Sequence, residues 1–367
     1  MFNLSLTKEQ LLAPLLTVAG AVDKKQVTPI LSNILVTLSD NQLLLTATDL
    51  EIEMTARIPC ITSQSGQCTI PAKKLIDIIR SLDDGSSFAL NLKATEVVIK
   101  AGRSQFKLAT LPADDFPSAQ ESAGEVEFAM PRTVLAHLIQ STAFAASQNE
   151  VRVFLNGLLI ELEGNRITVV ATDGHRMAVC QLPCEQNFAG HRFLLPKKGV
   201  QEMLRLLQNS HEETIRVTAG KGHFKLLTEE YSFRTALLES RYPPYAKAIP
   251  RDLDKWVLAD RDQLKRALSR MVILAHEKSR AVILHLEHGV LTLIANNQEQ
   301  EEAIESIEAE TEGAALKIGI NAGYLLDVLN FIDGGLVRLS MSNQNCSILV
   351  ESLQDEQYQY IIMPMRI

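Results

Sequence analysis

The chain of 367 residues has no apolar run near the roughly 18 residues that a membrane-spanning helix requires, so no membrane partner is expected. Its start, "MFNLSLTKEQLLAPLL", lacks a basic region ahead of an apolar one. No secretory signal is therefore read, and a cytoplasmic protein is expected. Cysteine is sparse and odd in number: Cys60, Cys68, Cys180, Cys184 and Cys346. That excludes a secreted disulfide framework. Cys180 and Cys184, with His191 downstream, lack the tight repeated spacing of a zinc site, so no metal is expected. GxSxG, HExxH and phosphate-loop patterns are missing, and "AGKGH" at Ala219–His223 has the wrong spacing for a P-loop. No cofactor is expected either. Positive charge is also not in excess. The net charge of −8 argues against nucleic acid for the surface as a whole, but allows a basic face on an acidic body.

What the chain has is a threefold repeat. Asn33–Ile58, Asn156–Leu182 and Ala281–Ile307 each read as an alternating apolar stretch, a polar turn and a second such stretch. Then comes Ala-Thr-Asp or Ala-Asn-Asn, and a third stretch. Period-2 alternation of this kind predicts consecutive antiparallel strands. Ala47, Ala171 and Ala295 head the three short motifs at equal intervals of 124 residues. Helical spacing precedes each set of strands; in the third copy it falls on Leu264, Leu268, Met271, Val272 and Ala275. A second helix follows each set, with Pro71 and Pro196 suited to its start and Asn321 near the matching place. Further short strands close each copy. The fold class is α+β: three tandem copies, each of two helices on antiparallel sheet. The predicted domains are 1–125, 126–252 and 253–367, with breaks near Glu121–Val126 and Ile249–Trp256.

"VATDGHRMAV", Val170–Val179, could be an acid–base pair of Asp173 and His175 or an Asp-Gly hairpin turn. The other copies favour the turn, since the first has Asp49 and Leu50 there and the third Asn296 and Asn297, without histidine. Basic residues recur on matching helices: Lys24 and Lys25; Lys73, Lys74 and Arg80; Lys197, Lys198 and Arg205; Lys265, Arg266, Arg270, Lys278 and Arg280. Glutamates gather instead at Gln298–Glu312. Repeated domains make extended or closed surfaces, and a head-to-tail interface whose rotation closes makes a ring. A basic lining in such a ring would hold phosphates without reading bases.

Over its full length the chain resembles the bacterial sliding clamps, the β subunits of DNA polymerase III. The resemblance rests on "TDLEIEM", "AGRSQFKLATLPADDFP", "LNGLLIELEG", "VATDGHRMAV", "ANNQEQEEA" and the terminal "MPMRI". It implies a DNA-clamp domain in each third and half of a six-domain ring in each chain. It also implies a head-to-tail homodimer around duplex DNA, with no catalytic chemistry. It further implies a clamp loader, and polymerase subunits and repair proteins that dock through a short apolar motif. The implied docking pocket comprises Leu155, Thr172, Gly174, His175, Arg176, Met177, Pro243, Lys247, Ala248 and Ser347. The tail residues Ile361, Ile362, Met363, Pro364, Met365, Arg366 and Ile367 complete it. Met177 and Ile367 stand where leucine is common, and Lys24 and Lys247 where arginine is common. The DNA-facing set is Lys24, Lys25, Lys73, Lys74, Arg80, Asn149, Lys197, Lys198, Arg205, Lys265 and Arg266. The dimer set is Arg103, Phe106, Lys107 and Leu108 against Ile273, Leu274, Glu299, Glu301, Glu302 and Glu305. Two other readings remain at this stage: a cytoplasmic hydrolase using Asp173 and His175, and a monomeric scaffold for peptides.

Overall fold

The computed structural model describes residues 3–22, 28–39, 41–61, 64–93, 95–117, 124–148 and 150–366. Lys24, Lys25, Asn149 and Ile367 lie outside them, as do Glu121–Ala123 of the first expected break.

The first third runs β1 (Asn3–Thr7), α1 (Lys8–Val18), β2 (Asn33–Ser39), β3 (Gln42–Thr48), β4 (Ile52–Pro59) and β5 (Gly66–Pro71). It continues with α2 (Ala72–Ser81), β6 (Ser87–Lys93), β7 (Glu96–Ala101) and β8 (Ser104–Ala109). The second runs β9 (Val126–Pro131), α3 (Arg132–Ala143), β10 (Gly157–Thr172) and β11 (Arg176–Pro196). After these come α4 (Lys197–Asn209), β12 (Thr214–Gly220), β13 (His223–Leu227) and β14 (Tyr231–Ala236). The third opens with β15 (Lys255–Asp260), α5 (Arg261–Leu274), β16 (Ala281–Glu287), β17 (Val290–Asn296) and β18 (Glu302–Glu308). It ends with β19 (Glu310–Glu312), β20 (Leu316–Asn321), α6 (Ala322–Phe331), β21 (Leu336–Met341), β22 (Ile348–Ser352) and β23 (Tyr358–Ile362).

Local chemistry explains the helix starts. The Thr7 hydroxyl accepts from Gln10 N while Gln10 Oε1 accepts from Thr7 N, a capping box that opens α1. Asp260 caps α5 and Asn321 caps α6 through side-chain oxygens. Pro71 occupies the corresponding place before α2. Of the predicted stripe, Leu264, Leu268 and Met271 of α5 are buried, Val272 is half-buried and Ala275 is the buried C-cap; Ala267 is buried beside them. No helix among the described residues is long and apolar enough to cross a membrane.

One predicted break is absent. The polar stretch at Glu163–Arg166 does not end a strand, because β10 runs through it for 16 residues against the 21 of β11. Pairing persists through irregularities on either side of Gly164, whose φ of +57° absorbs the bend.

The chain divides into two compact units, and these do not follow the thirds. One is Met1–Leu135 with Lys198–Leu237, the other Ala136–Lys197 with Leu238–Ile367. The cause is the pairing. In the first unit, β4 pairs with β14, joining two thirds into one sheet of order β5-β2-β3-β4-β14-β13-β12-β9. In the second, β11 pairs with β23 within the order β10-β11-β23-β22-β21-β15-β19. Each unit also holds a four-stranded sheet, β1-β6-β7-β8 in the first and β18-β17-β16-β20 in the second.

Strand register identifies equivalent residues. Ala47, Ala171 and Ala295 face Met54, Ala178 and Ala303. Phe106, Phe233 and Tyr360 hold matching places on the last strand of each third. The two internal joints then agree: Met54 faces Phe233 in one, and Ala178 faces Tyr360 in the other. Strand β18 is the third equivalent of β4 and β11, and β8 that of β14 and β23. Both end their sheets.

Candidate functional site

The Thr172–Arg176 segment is a turn that its own side chains hold shut. Thr172 Oγ1 donates to Arg176 O at 2.6 Å and accepts from Gly174 N at 3.0 Å. Asp173 Oδ1 accepts from His175 N at 2.8 Å and Arg176 N at 2.9 Å. Gly174 takes a φ of +89°, which glycine adopts without a Cβ penalty. The first third repeats this wiring: Thr48 Oγ1 donates to Ile52 O, and Asp49 Oδ1 accepts from Glu51 N and Ile52 N. In the third copy, Asn297 Oδ1 accepts from Glu301 N. Asp173 is thus the Asx brace of a repeated turn, and its Oδ1 meets the backbone of His175. This arrangement gives no acid–base pair.

Arg176 leaves that turn for the interior of its unit, with a side chain 13% exposed. Its Nε donates to Asp173 Oδ2 at 3.1 Å, one terminal nitrogen to Asp327 Oδ2 at 2.5 Å, and the other to Phe144 O at 2.8 Å. The guanidinium also lies over the rings of Tyr324 (4.6 Å) and Phe144 (5.3 Å). Phe144 stacks on Phe331 at 4.9 Å.

Beside the turn, Met177 and Ile361 face each other on β11 and β23. Both are buried in a cluster with Leu159, Val170, Val179, Leu194, Tyr242 and Leu349. Leu155 and Ile362 are buried too, Thr172 and Ser347 are half-buried, and Gly174, His175, Pro243, Lys247 and Ala248 are exposed. The tail then crosses the unit: Met363 N donates to His175 O, and Met365 N to Gly319 O on β20, both at 2.8 Å. Met363 remains 48% exposed, Pro364 and Met365 are half-buried, and Arg366 is exposed. An apolar floor with an adaptable methionine at its rim suits varied apolar ligands.

Several residues here carry no local sequence signal. Tyr242 sits under the floor, its hydroxyl buried without a hydrogen-bond partner among the described residues, and burial pushes its phenol above the usual range. Tyr245 donates to Glu161 at 2.7 Å, and burial followed by that carboxylate raises its phenol likewise. Tyr324, Asp327 and Phe144 hold Arg176 from distant elements. The doubled aromatic of "RYPPY" is the only sequence signal for Tyr242 and Tyr245.

The basic residues divide by what they touch. Lys73, Lys74 and Arg80 stand exposed on α2, and Arg266 on α5 with Lys265 half-buried. Lys197, Lys198 and Arg205 have partners within their own units. Lys198 pairs with Asp49, and Lys197 Nζ donates to Ala146 O at 2.9 Å. Burial, then Arg176, holds the Lys197 ammonium below its usual value. Arg205 pairs with Glu202 and donates to the carbonyls of Leu16 and Thr17 that end α1.

At the two sheet edges, Arg103 and Lys107 are exposed, Phe106 half-buried, and Leu108 buried in its own unit. Leu108 therefore faces the core of that unit. Lys107 pairs with Glu96 at 2.6 Å. Across the other edge, Glu299, Glu301 and Glu302 are exposed, while Glu305 is bound by Arg270. Ile273 (77%) and Ile304 (60%) are exposed and Leu274 half-buried. No group of three or more His, Cys, Asp or Glu among the described residues is placed to hold a metal.

Comparison with known proteins gives the same picture along the whole chain. Models of the DNA polymerase III beta subunit match in three parts: the N-terminal domain over 2–120, the central domain over 129–244 and the C-terminal domain over 246–366. The beta sliding clamp of Pseudomonas aeruginosa is 40% identical over 370 residues, covering 100% of both chains. That of Escherichia coli K12 is 39% identical over 361 residues and 98% of each. A P. aeruginosa sliding clamp solved with griselimycin superposes at a TM-score of 0.95 with 40% identity, covering 100% of this chain and 99% of that one. The hydrolase alternative is set aside, and the chain belongs to the DNA polymerase III beta subunit family, the non-catalytic beta sliding clamps.

Proposed function

We propose that two copies of this chain close head to tail into a ring of six similar domains, 1–125, 126–252 and 253–367 from each, with duplex DNA passing through it. One observation carries the reading. The strand joint that fuses successive thirds occurs twice within the chain, and among the described residues its third instance is left open at both ends, at β18 and at β8. An open edge is a template for pairing. A second copy supplies the missing strand at each end, and two chains then leave no edge of this kind unpaired. Carrying the internal register across sets Ala303 against Phe106 of the partner subunit and Glu302 against Lys107 of the partner subunit. The latter repeats the Glu53–Arg234 pairing of the first internal joint. Ile273 and Ile304 give the seam exposed apolar surface.

In this ring Lys73, Lys74, Arg80, Lys265 and Arg266 serve the DNA, with Lys24, Lys25, Asn149, Lys197, Lys198 and Arg205 as further members of that lining. Contacts of this kind go to phosphates and are independent of sequence, which lets a ring slide. The site around Met177, Ile361 and the tail takes a short apolar motif from polymerase subunits, repair proteins and a clamp loader working on DNA in the cytoplasm. The griselimycin-bound relative supports a ligand site in proteins of this kind. The test is retention on DNA. Protein loaded onto a nicked circular plasmid stays through a 1 M salt wash (about a 3 Å Debye length) and leaves once the plasmid is cut. Equal loss from circle and line overturns the reading.

A further inference from the structure

The turn at Asp49 and the turn at Asp173 are one turn in successive thirds, so what lies beside one has a counterpart beside the other. Beside the first, within the unit Met1–Leu135 with Lys198–Leu237, is a cavity of about 210 Å³. Its walls include Thr48, Glu51, Glu53, Pro117, His223 and Arg234. Strand register and the shared turn match Thr48, Glu51, Glu53, His223 and Arg234 in turn with Thr172, His175, Met177, Ser347 and Ile361. Pro117 has its counterpart in Pro243, each proline following a buried aromatic, Phe116 and Tyr242, in the segment after the last strand. All six counterparts belong to the expected docking site.

The backbone of the site is kept while its chemistry is changed. Leu50 occupies the place of Gly174 and holds a φ of +78°, a conformation unfavourable to leucine, with its side chain 68% exposed. At the floor, the buried apolar pair Met177 and Ile361 becomes Glu53 opposite Arg234. The imidazole of His223, itself buried, stands where Ser347 is small.

We infer that the joint of the first two thirds is a second copy of the docking site that the Glu53–Arg234 pair closes to apolar motifs, leaving one docking site per chain. An apolar anchor pressed onto that floor would strip water from two charges and offer them no new partner. The same anchor on Met177 and Ile361 displaces water from apolar surface alone. A clamp that meets many partners through one motif then presents that motif with a single address in each chain, by repulsion at the other.

The inference rests on the docking reading above, and titration calorimetry of the full-length chain with a synthetic pentapeptide ending in Leu-Phe separates the two. Wild type should bind one peptide per chain and the folded E53M/R234I variant two. Removing Met363 to Ile367 from that variant should return it to one. Two peptides on wild type, or one on folded E53M/R234I, overturns the inference and leaves the docking reading standing. No binding to wild type overturns both. Should E53M/R234I fail to fold, the reverse change M177E/I361R carries the test. It should lower affinity at least a hundredfold with circular dichroism unchanged, and retained binding overturns the inference.

Discussion

Arg176 shows how much of this site depends on one side chain. It ties the turn to α6 through Asp327 and to the end of α3 through Phe144 O, from a largely buried position. Removing one partner of such a network leaves carboxylates without their counter-charge. Arg176→Ala should lower stability by about 2–3 kcal/mol, the partial exposure of Asp327 holding it below the roughly 3–5 kcal/mol of a fully buried pair. Arg176→Lys should recover only part of that, because an ammonium cannot reproduce three fixed donors and two stacked rings. Urea midpoints of the three proteins check this, and an unchanged midpoint for Arg176→Ala would contradict it. The turn itself was legible in the sequence: Asp-Gly between alternating apolar residues, echoed by Asp49 and Asn297, speaks for backbone geometry. The anchor was not legible, since Asp327 lies 151 residues from Arg176 and no local spacing encodes that meeting.

Among the elements, the repeat was readable because equal intervals and period-2 alternation survive divergence. The stripe on α5 and the caps at Thr7, Asp260 and Asn321 follow from local rules of the same kind. Two features were not readable. The polar stretch near Gly164 looks like a turn but is carried inside a paired strand by irregular register. Sheets also cross from one third to the next, because β4 finds β14 and β11 finds β23 over long separations. That crossing makes a charge swap informative. With Glu302 set opposite the partner's Lys107, Glu302→Lys should weaken self-association about tenfold through like charges in facing positions. Combining it with Lys107→Glu should restore association. Sedimentation equilibrium at low salt reads both, and a double variant no better than the single one would refute the register.

For the whole molecule, a net charge of −8 coexists with exposed lysines and arginines on α2 and α5. Composition alone would have argued against nucleic acid. On the proposed reading, positive charge gathered on a few exposed helix faces would let an acidic protein hold DNA by enclosure, with phosphate contacts too weak and unspecific to arrest it. The claim beneath this account is that the strand joint used twice inside the chain is used a third time between chains. Paired cysteines test it most directly, since facing residues on adjacent antiparallel strands come within disulfide reach and a one-residue shift turns a side chain to the other face. Ala303→Cys combined with Phe106→Cys should give, on mild oxidation, a covalent two-chain species on non-reducing gels. Ala303→Cys with Lys107→Cys should not. Cross-linking in the second pair and none in the first would contradict the account.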